Sequence, residues 1–231
     1  MIANRPVQLS IIVPMLDEAH AIVSTLTALA PLRTRGVEVI VADGGSIDGS
    51  ATLAAPLVDV VIAAPRGRAL QMNAGAADAH GVVLLFLHAD TALPQDADAL
   101  IAEALLDTAR VWGRFDVSIE GRSAMLPMVA AMMNLRSRMT GIATGDQAIF
   151  VRRDAFFQAG AFPAQPLMED IALSRRLKAM SAPVCVRAKA TTSGRRWDSK
   201  GAWRTIFLMW KLRLRYWLGT DASALAREYR K

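Results

Sequence analysis

Carboxylates recur along this sequence at four places: Asp17-Glu18, Asp43, Asp90 and Glu169-Asp170. Such groups accept hydrogen bonds, ligate hard cations and take up protons, so their placement decides whether they do chemistry or only finish secondary structure. Asp43 lies in VEVIVADGGSIDGS, residues 37–50, where a β-branched apolar run reads as a buried strand with the aspartate at its carboxyl end. Open α/β sheets bind their ligands at such ends. Asp90 follows the wholly apolar run VVLLFL, and Asp17-Glu18 follows SIIVP. Each acid also has a plainer use. Asp17, Asp43, and Asp48 or Ser46 could cap helices, Asp90 could open a turn, and Glu169-Asp170 could complement a helix dipole.

The apolar pattern supplies elements to carry these residues. Strands are expected at 10–13, 37–42, 58–62 and 82–87, and helices at 19–32, from Ser50, and at 68–79, with Ile22, Leu26 and Leu29 on one face of the first. Strands alternating with short helices imply parallel crossovers and a sheet covered on both faces. Beyond Asp90 the rhythm changes. A helix over 94–109 opens with Pro94, residues 111–119 alternate like an edge or antiparallel strand, and 123–139 is a helix with a stripe at Met125, Met128, Met132, Leu135 and Met139. A strand at 147–151, a helix at 169–180 and a short strand at 184–186 follow. No linker or repeat interrupts this, so the chain reads as one domain: a nucleotide-binding half at 8–92, a mixed half at 93–200 and an amphipathic helix at 201–231.

Composition narrows the classes. With 53% hydrophobic residues in 231, the chain can bury a sizeable core. A single cysteine, Cys185, makes no internal disulfide and favours a reducing cytosol, and three histidines leave no zinc constellation. A net charge of +6 favours anionic partners. Residues 1–10 lack the apolar stretch of a signal peptide, and no run reaches the roughly 20 apolar residues of a membrane span. The first turn, PMLDE at 14–18, has no glycine to bring backbone against a pyrophosphate, which argues against NAD or FAD, and no GxxxxGK[ST] loop is present.

The segments PMLDEA (14–19), VADGGSIDGS (41–50), RGRALQMNAGAADAHG (66–81), FLHAD (86–90), GDQAIFVRRDAF (145–156), PLMEDIALSRRL (166–177) and GRRW (194–197) together resemble a family 2 glycosyltransferase of the GT-A fold. Compact length and the HAD segment are similar to the branch associated with radical-SAM/selenodomain proteins. The resemblance spans roughly residues 8–200. It implies an α/β fold with a mostly parallel central sheet flanked by helices and a mixed C-terminal half. It also implies transfer of a sugar from a nucleoside diphosphate sugar, UDP on family habit, to a hydroxyl acceptor with inversion; no nucleic acid is expected as partner.

The resemblance carries roles residue by residue. Asp43, with Pro14 and Glu18 near it, matches the positions that hold the nucleoside, and Arg68 matches a basic position near the nucleotide. Asp90 matches the last acid of a DxD motif that binds Mg²⁺ or Mn²⁺ on the diphosphate. His88 stands where the first aspartate usually lies, so it is either a ligand suited to Mn²⁺ or a structural hydrogen-bonding group. Asp170 matches the general base, with Glu169 orienting it or the acceptor. Arg196 and Trp197 match the end of a QxxRW motif, and the glutamine that processive members carry is missing. Asp146 and Gln147 sit where the family places acceptor-side residues.

Two apolar stripes concern the acceptor. The methionine stripe at 125–139 is expected in the core, although methionine also lines adaptable binding surfaces. Trp203, Trp210 and Trp217 recur every seven residues beside Arg204, Lys211 and Arg215. Packing against the sheet or a second copy of the chain is the favoured use of that helix; the other is contact through 201–219 with the inner face of a membrane, where an acceptor could be lipid-linked. Two rivals remain: a sugar-nucleotide pyrophosphorylase, whose glycine-rich, arginine-bearing first loop is absent, and a catalytically lapsed, membrane-peripheral or partner-binding module.

Overall fold

The computed structural model describes residues 8–230; the reading of the N-terminus as free of a signal peptide rests largely on residues 1–7, outside the described residues. The first half runs β1 (Leu9–Met15), α1 (Ile22–Ala28), α2 (Ala30–Thr34), β2 (Glu38–Asp43), α3 (Ser50–Ala54), β3 (Val60–Ala63), α4 (Arg68–Asp78) and β4 (Val83–Phe86). The second runs β5 (Thr91–Ala92), α5 (Ala97–Ala104), β6 (Trp112–Glu120), α6 (Leu126–Thr140), β7 (Phe150–Arg152), α7 (Arg153–Gln158), α8 (Glu169–Met180), β8 (Val184–Ser193), α9 (Arg195–Lys200), α10 (Ala202–Trp217) and α11 (Ala222–Arg230).

All eight strands join one sheet in the order β3-β2-β1-β4-β7-β6-β8-β5. β1 pairs in parallel with β2 and β4, β2 with β3, and β6 with β8, while β7 and β5 run antiparallel to their neighbours. The alternation within strands explains the two-sided cover. Ile11, Val13, Met15, Val39, Val41, Leu85 and Leu87 face one apolar layer with Ile22, Leu26 and Ile101 of the helices. Ile12, Ile40, Leu84 and Phe86 face the other, with Ala69 and Met72 of α4 and Leu173 and Leu177 of α8. Gly75 sets the distance between α4 and β1, since a Cβ there would come within 2.5 Å of the Ile12 side chain.

After β3 the chain returns to the far side of β1 to form β4. The strand order therefore reverses between β1 and β4, and the crevice outside their carboxyl ends is where an open α/β sheet takes a ligand.

Several elements differ from the sequence expectation. The helix over 19–32 breaks at Leu29, which ends α1 and starts α2, because Pro31 has no N–H to bond the carbonyl four residues back and its ring crowds that carbonyl. Ile22, Leu26 and Leu29 still share the buried face. The helix over 94–109 shrinks to α5. β6 is an interior strand and not an edge, but it is antiparallel to β7, the other form its alternation allowed, and parallel to β8. Of its alternating polar residues Arg114 is fully enclosed and bonds Asp116, Ser137 and the Asn134 carbonyl, while half-buried Asp116 also pairs with Arg138 at 2.7 Å. Asn134 closes both hydrogen bonds with the Val117 backbone, at 2.8 and 3.0 Å. α6 is thus latched to the sheet through its polar residues as well as Leu126, Val129 and Ala130, and its methionine stripe faces outward. Met128, Met132, Leu135 and Met139 are 49–77% exposed, which corrects their expected place in the core.

The C-terminal helix departs similarly. α10 buries Thr205 and Leu212, but Trp203, Phe207, Trp210, Leu214 and Trp217 are exposed, so the tryptophan stripe does not pack on the sheet. Among the described residues no helix is long and apolar enough to cross a membrane.

Candidate functional site

A cleft of about 320 Å³ opens at the carboxyl ends of β1 and β4. Its lining includes Pro14, Glu18, Arg68, His88, Asp90, Asp146, Glu169, Asp170, Arg196 and Trp197. Residues separated by some 180 positions in the chain therefore meet on one surface. Asp43 and Gln147 do not form part of that lining.

The β1 and β2 ends are tied together by short-range hydrogen bonds. The Asp17 N–H donates to Ser46 Oγ, the Glu18 N–H to Ser50 Oγ and the Ala19 N–H to Asp48, each at 2.9 Å. Asp43 accepts from its own loop, from Ser46 Oγ at 2.5 Å and from the Gly45 and Ser46 N–H groups. Buried Gln71, from α4, donates to the Met15 and Ala42 carbonyls at 2.6 and 2.9 Å. Neither Ser46 nor Asp48 caps α3, whose N-cap is Gly49; Asp48 instead accepts from Ala19 and Ser50.

Asp90 is held in a turn between β4 and β5, where the Thr91 N–H bonds the His88 carbonyl and the Ser193 N–H bonds the Asp90 carbonyl. Its carboxylate lies 3.4 Å from Arg195, which is also 3.5 Å from Glu18. Glu18 Oε2 is buried without a hydrogen-bond partner. Arg195, not Arg196, is thus the cation beside these acids. Arg196 is taken up by α11: its guanidinium stacks 3.5 Å over the Tyr229 ring and donates to the Tyr229 carbonyl at 3.0 Å. The segment GRRW offers two adjacent arginines, and only the start of α9 at Arg195 decides which one faces the acids.

The opposite wall carries Glu169 and Asp170 at the N-terminus of α8. Met168, before them, adopts the left-handed conformation at φ 65°, a strained choice for a side chain of this size. Asp17 and Ala148, each within two residues of a cleft acid, share that conformation. Asp170 accepts hydrogen bonds from the Gly145 N–H at 2.9 Å and the Ile171 N–H at 2.7 Å. Burial, and then the neighbouring Glu169 carboxylate, push its pKa up to about 6 despite those bonds and the Arg68 charge. Glu169 is nearly enclosed, with Arg68 Nη1 3.6 Å away. Arg68 thus reaches the cleft lining from the first turn of α4 with about half of its side chain still exposed.

His88 Nδ1 lies 3.2 Å from Asp146. The ring rests so closely on Gly145 that a Cβ there would stand 2.3 Å from Nε2. Burial raises the pKa of Asp146, but the hydrogen bond and charge of His88, with Arg68 and Arg136, hold it below the usual carboxylate range. Gln147 is fully buried and closes the 145–147 turn by accepting from the Thr144 N–H at 3.2 Å, with its amide donating to Asn134. Its expected acceptor-side place is corrected to that of a residue that shapes the turn.

Among the described residues, no three His, Cys, Asp or Glu side chains converge into a metal site. His88 spends one nitrogen on Asp146 and packs the other against Gly145. What fits a hard divalent cation is Asp90, beside the unbonded Glu18 oxygen, since such ions keep waters and take ligands from substrate phosphates.

The mixed eight-stranded sheet, flanked by helices and open at the carboxyl ends of β1 and β4, places the chain in the class of GT-A-like α/β folds. The sequence model of glycosyl transferase family 2 matches residues 10–160, and the chain belongs to that family. Solved structures share the GT-A-like α/β fold. A mannosyltransferase of Pyrobaculum calidifontis, in complex with GDP-Man and Mn²⁺, is 20% identical over 91% of this chain and 61% of its own, with a TM-score of 0.64. TarS 1-349 of S. aureus with UDP-GlcNAc is 16% identical over 80% of this chain and 58% of its own, at 0.65. Glucosyl-3-phosphoglycerate synthase of Mycobacterium tuberculosis, with Mn²⁺, UDP and glucosyl-3-phosphoglycerate, is 19% identical over 82% and 71%, at 0.60. The chain thus spans about three fifths of the length of the first two. No curated protein matches it by sequence.

Proposed function

We propose that this chain is an inverting glycosyltransferase that moves a sugar from a nucleoside diphosphate sugar to a hydroxyl acceptor, with Asp170 as general base. One observation carries the reading: a carboxylate on the cleft wall, fixed by two backbone N–H groups, with its pKa raised to about 6, shares a crevice with Asp90, which Arg195 pairs from the α9 side at 3.4 Å. A base titrating near working pH takes a proton most effectively.

In the reaction, the acceptor O–H gives its proton to Asp170 as its oxygen bonds the anomeric carbon. The bond from that carbon to the diphosphate oxygen breaks, and the nucleoside diphosphate leaves from the opposite face. Arg195 offsets charge gathering on the leaving group. Glu169, next to Asp170 on α8 and paired by Arg68 from α4, helps orient the base. Asp43, Pro14 and Glu18 form the nucleoside end, with Asp43 acting there through the 43–46 loop whose N–H and Oγ groups it holds. A bound Mg²⁺ or Mn²⁺ at Asp90 would supply further charge neutralisation on the diphosphate. Uridine is the base we assign, since TarS 1-349 and glucosyl-3-phosphoglycerate synthase, two of the similar structures, are complexes with UDP-GlcNAc and UDP.

The test is nucleotide release from UDP-glucose, UDP-GlcNAc and GDP-mannose with Mn²⁺, in wild type and Asp170→Asn. A wild-type rate about 10³-fold above the variant supports the reading. Equal low rates with all three donors would leave the lapsed-enzyme alternative standing.

A further inference from the structure

A second cavity, an apolar groove of about 720 Å³, runs between α6 and α10 and opens into the cleft. Met128 and Met132 form one wall and Phe207, Trp210 and Leu214 the other, all about half exposed or more. Asp146, Trp197, Met209 and Arg213 line both cavities, so the groove leads directly to the acidic wall. A contiguous exposed apolar surface of this kind marks a binding site.

Arg136 identifies what the groove receives. It lines the groove from α6, and its Nε and Nη2 are buried without a hydrogen-bond partner. Asp170 and Asp146 act on its charge from the cleft side and Arg114 from beneath, but none of them accepts from those two nitrogens. A guanidinium is always charged and carries five donors in a planar fork, so leaving donors buried and unbonded is costly unless an oxyanion completes them. Lys211 and Arg213 add positive charge to the same lining. An apolar trough ending at an unsatisfied cation matches a molecule with an apolar tail and an anionic head.

We propose that the acceptor is an amphiphile: its hydrocarbon chain lies in the groove between α6 and α10, and its phosphate-bearing head, with the accepting hydroxyl, sits on Arg136 beside Asp170. This rests on the function proposed above and names its acceptor class. A water-soluble sugar would leave the methionine and tryptophan walls wet. A second copy of this chain could cover the walls, but the buried nitrogens of Arg136 would still need an anion.

Three probes at submicellar concentration separate tail from head: dodecyl phosphate, neutral dodecyl maltoside and inorganic phosphate. Binding is followed by tryptophan fluorescence, since Trp197 and Trp210 line the groove. Dodecyl phosphate is expected to bind at least tenfold tighter than either other probe. Arg136→Met should weaken it about tenfold, Arg136→Lys less, and Met132→Asp, at an exposed position that leaves the core intact, about tenfold. Thermal shifts with UDP and Mn²⁺ on the same proteins report folding and the donor site. If those shifts persist while the three probes bind alike, or while Arg136→Met binds dodecyl phosphate as wild type does, the amphiphile assignment falls and the donor reading stands. If wild type shows no shift with any nucleotide, the function itself fails. A dimer in sedimentation that Met132→Asp dissolves would give the groove to a second copy and overturn the proposal.

Discussion

On the nucleotide side of the cleft, strand ends and their turns lock one another: the backbone of residues 17–19 donates to Ser46, Ser50 and Asp48, and Gln71 fastens the β1 and β2 termini. On the acceptor side, α6 is latched by Asn134 and Ser137 and turns its methionines to solvent, facing the exposed aromatic stripe of α10. One wall is polar and closed by its own hydrogen bonds except at Glu18 Oε2. The other is apolar, adaptable and holds an unbonded arginine. Methionine-rich surfaces re-pack around varied ligands, whereas a hydrogen-bonded turn accepts one geometry. Under the proposed function, the first wall would hold the donor by fixed geometry and the second would leave acceptor choice to side-chain shape.

Substitutions on the two sides should therefore differ in kind. Asp170→Asn is expected to lower nucleotide release about 10³-fold while the thermal shift with UDP and Mn²⁺ remains, because the base acts after the donor is bound. Asp90→Ala should cost about 10²-fold and abolish the stimulation by Mn²⁺, read as the loss of a metal-dependent thermal shift. Arg195→Ala should weaken nucleotide diphosphate binding about tenfold, in the range of one lost charge-assisted contact, with little change in the binding of the nucleoside alone. If Arg196→Ala has that effect and Arg195→Ala does not, the assignment of the cation is wrong.

The smallest effect is on stability, and its sign is informative. The folded-state pKa of Asp170 lies above its ordinary 3.8, so ionising it opposes folding: the penalty is absent below about pH 4 and complete above about pH 6. A shift of roughly two units corresponds to about 3 kcal/mol at most. Asp170→Asn should thus raise the melting temperature by several degrees at pH 8, and the gain should shrink as pH falls towards 4. A variant less stable than wild type at pH 8 would mean the carboxylate is held for structure.

The difference between the walls also explains what could be read from the chain alone. Asp43, Asp90 and Asp17-Glu18 follow apolar strands directly, so their strand-end positions are local facts, and the parallel first half follows from alternation and spacing. The methionine stripe of α6 misleads because periodicity shows that a helix has an apolar face without showing which face meets the sheet. Here Arg114, from β6, buries a charge beneath the helix and recruits Asn134 and Ser137 to it. Arg136 has the same origin: a cation four residues after Met132 signals nothing until its nitrogens prove to be enclosed. Arg195 and Arg196 are adjacent, so only the turn from β8 into α9 separates their directions. Gln147 and Asp43 stand at the expected strand ends and turns, but their side chains are engaged by their own loops.

The most direct test of the central claim is the pH dependence of nucleotide release with Mn²⁺ at low donor concentration. For wild type, the rate should rise tenfold per pH unit up to about 6 and then level, following ionisation of Asp170, and in Asp170→Asn the low residual rate should lose that limb. A wild-type limb that survives unchanged in Asp170→Asn would assign the base to another residue and contradict the account.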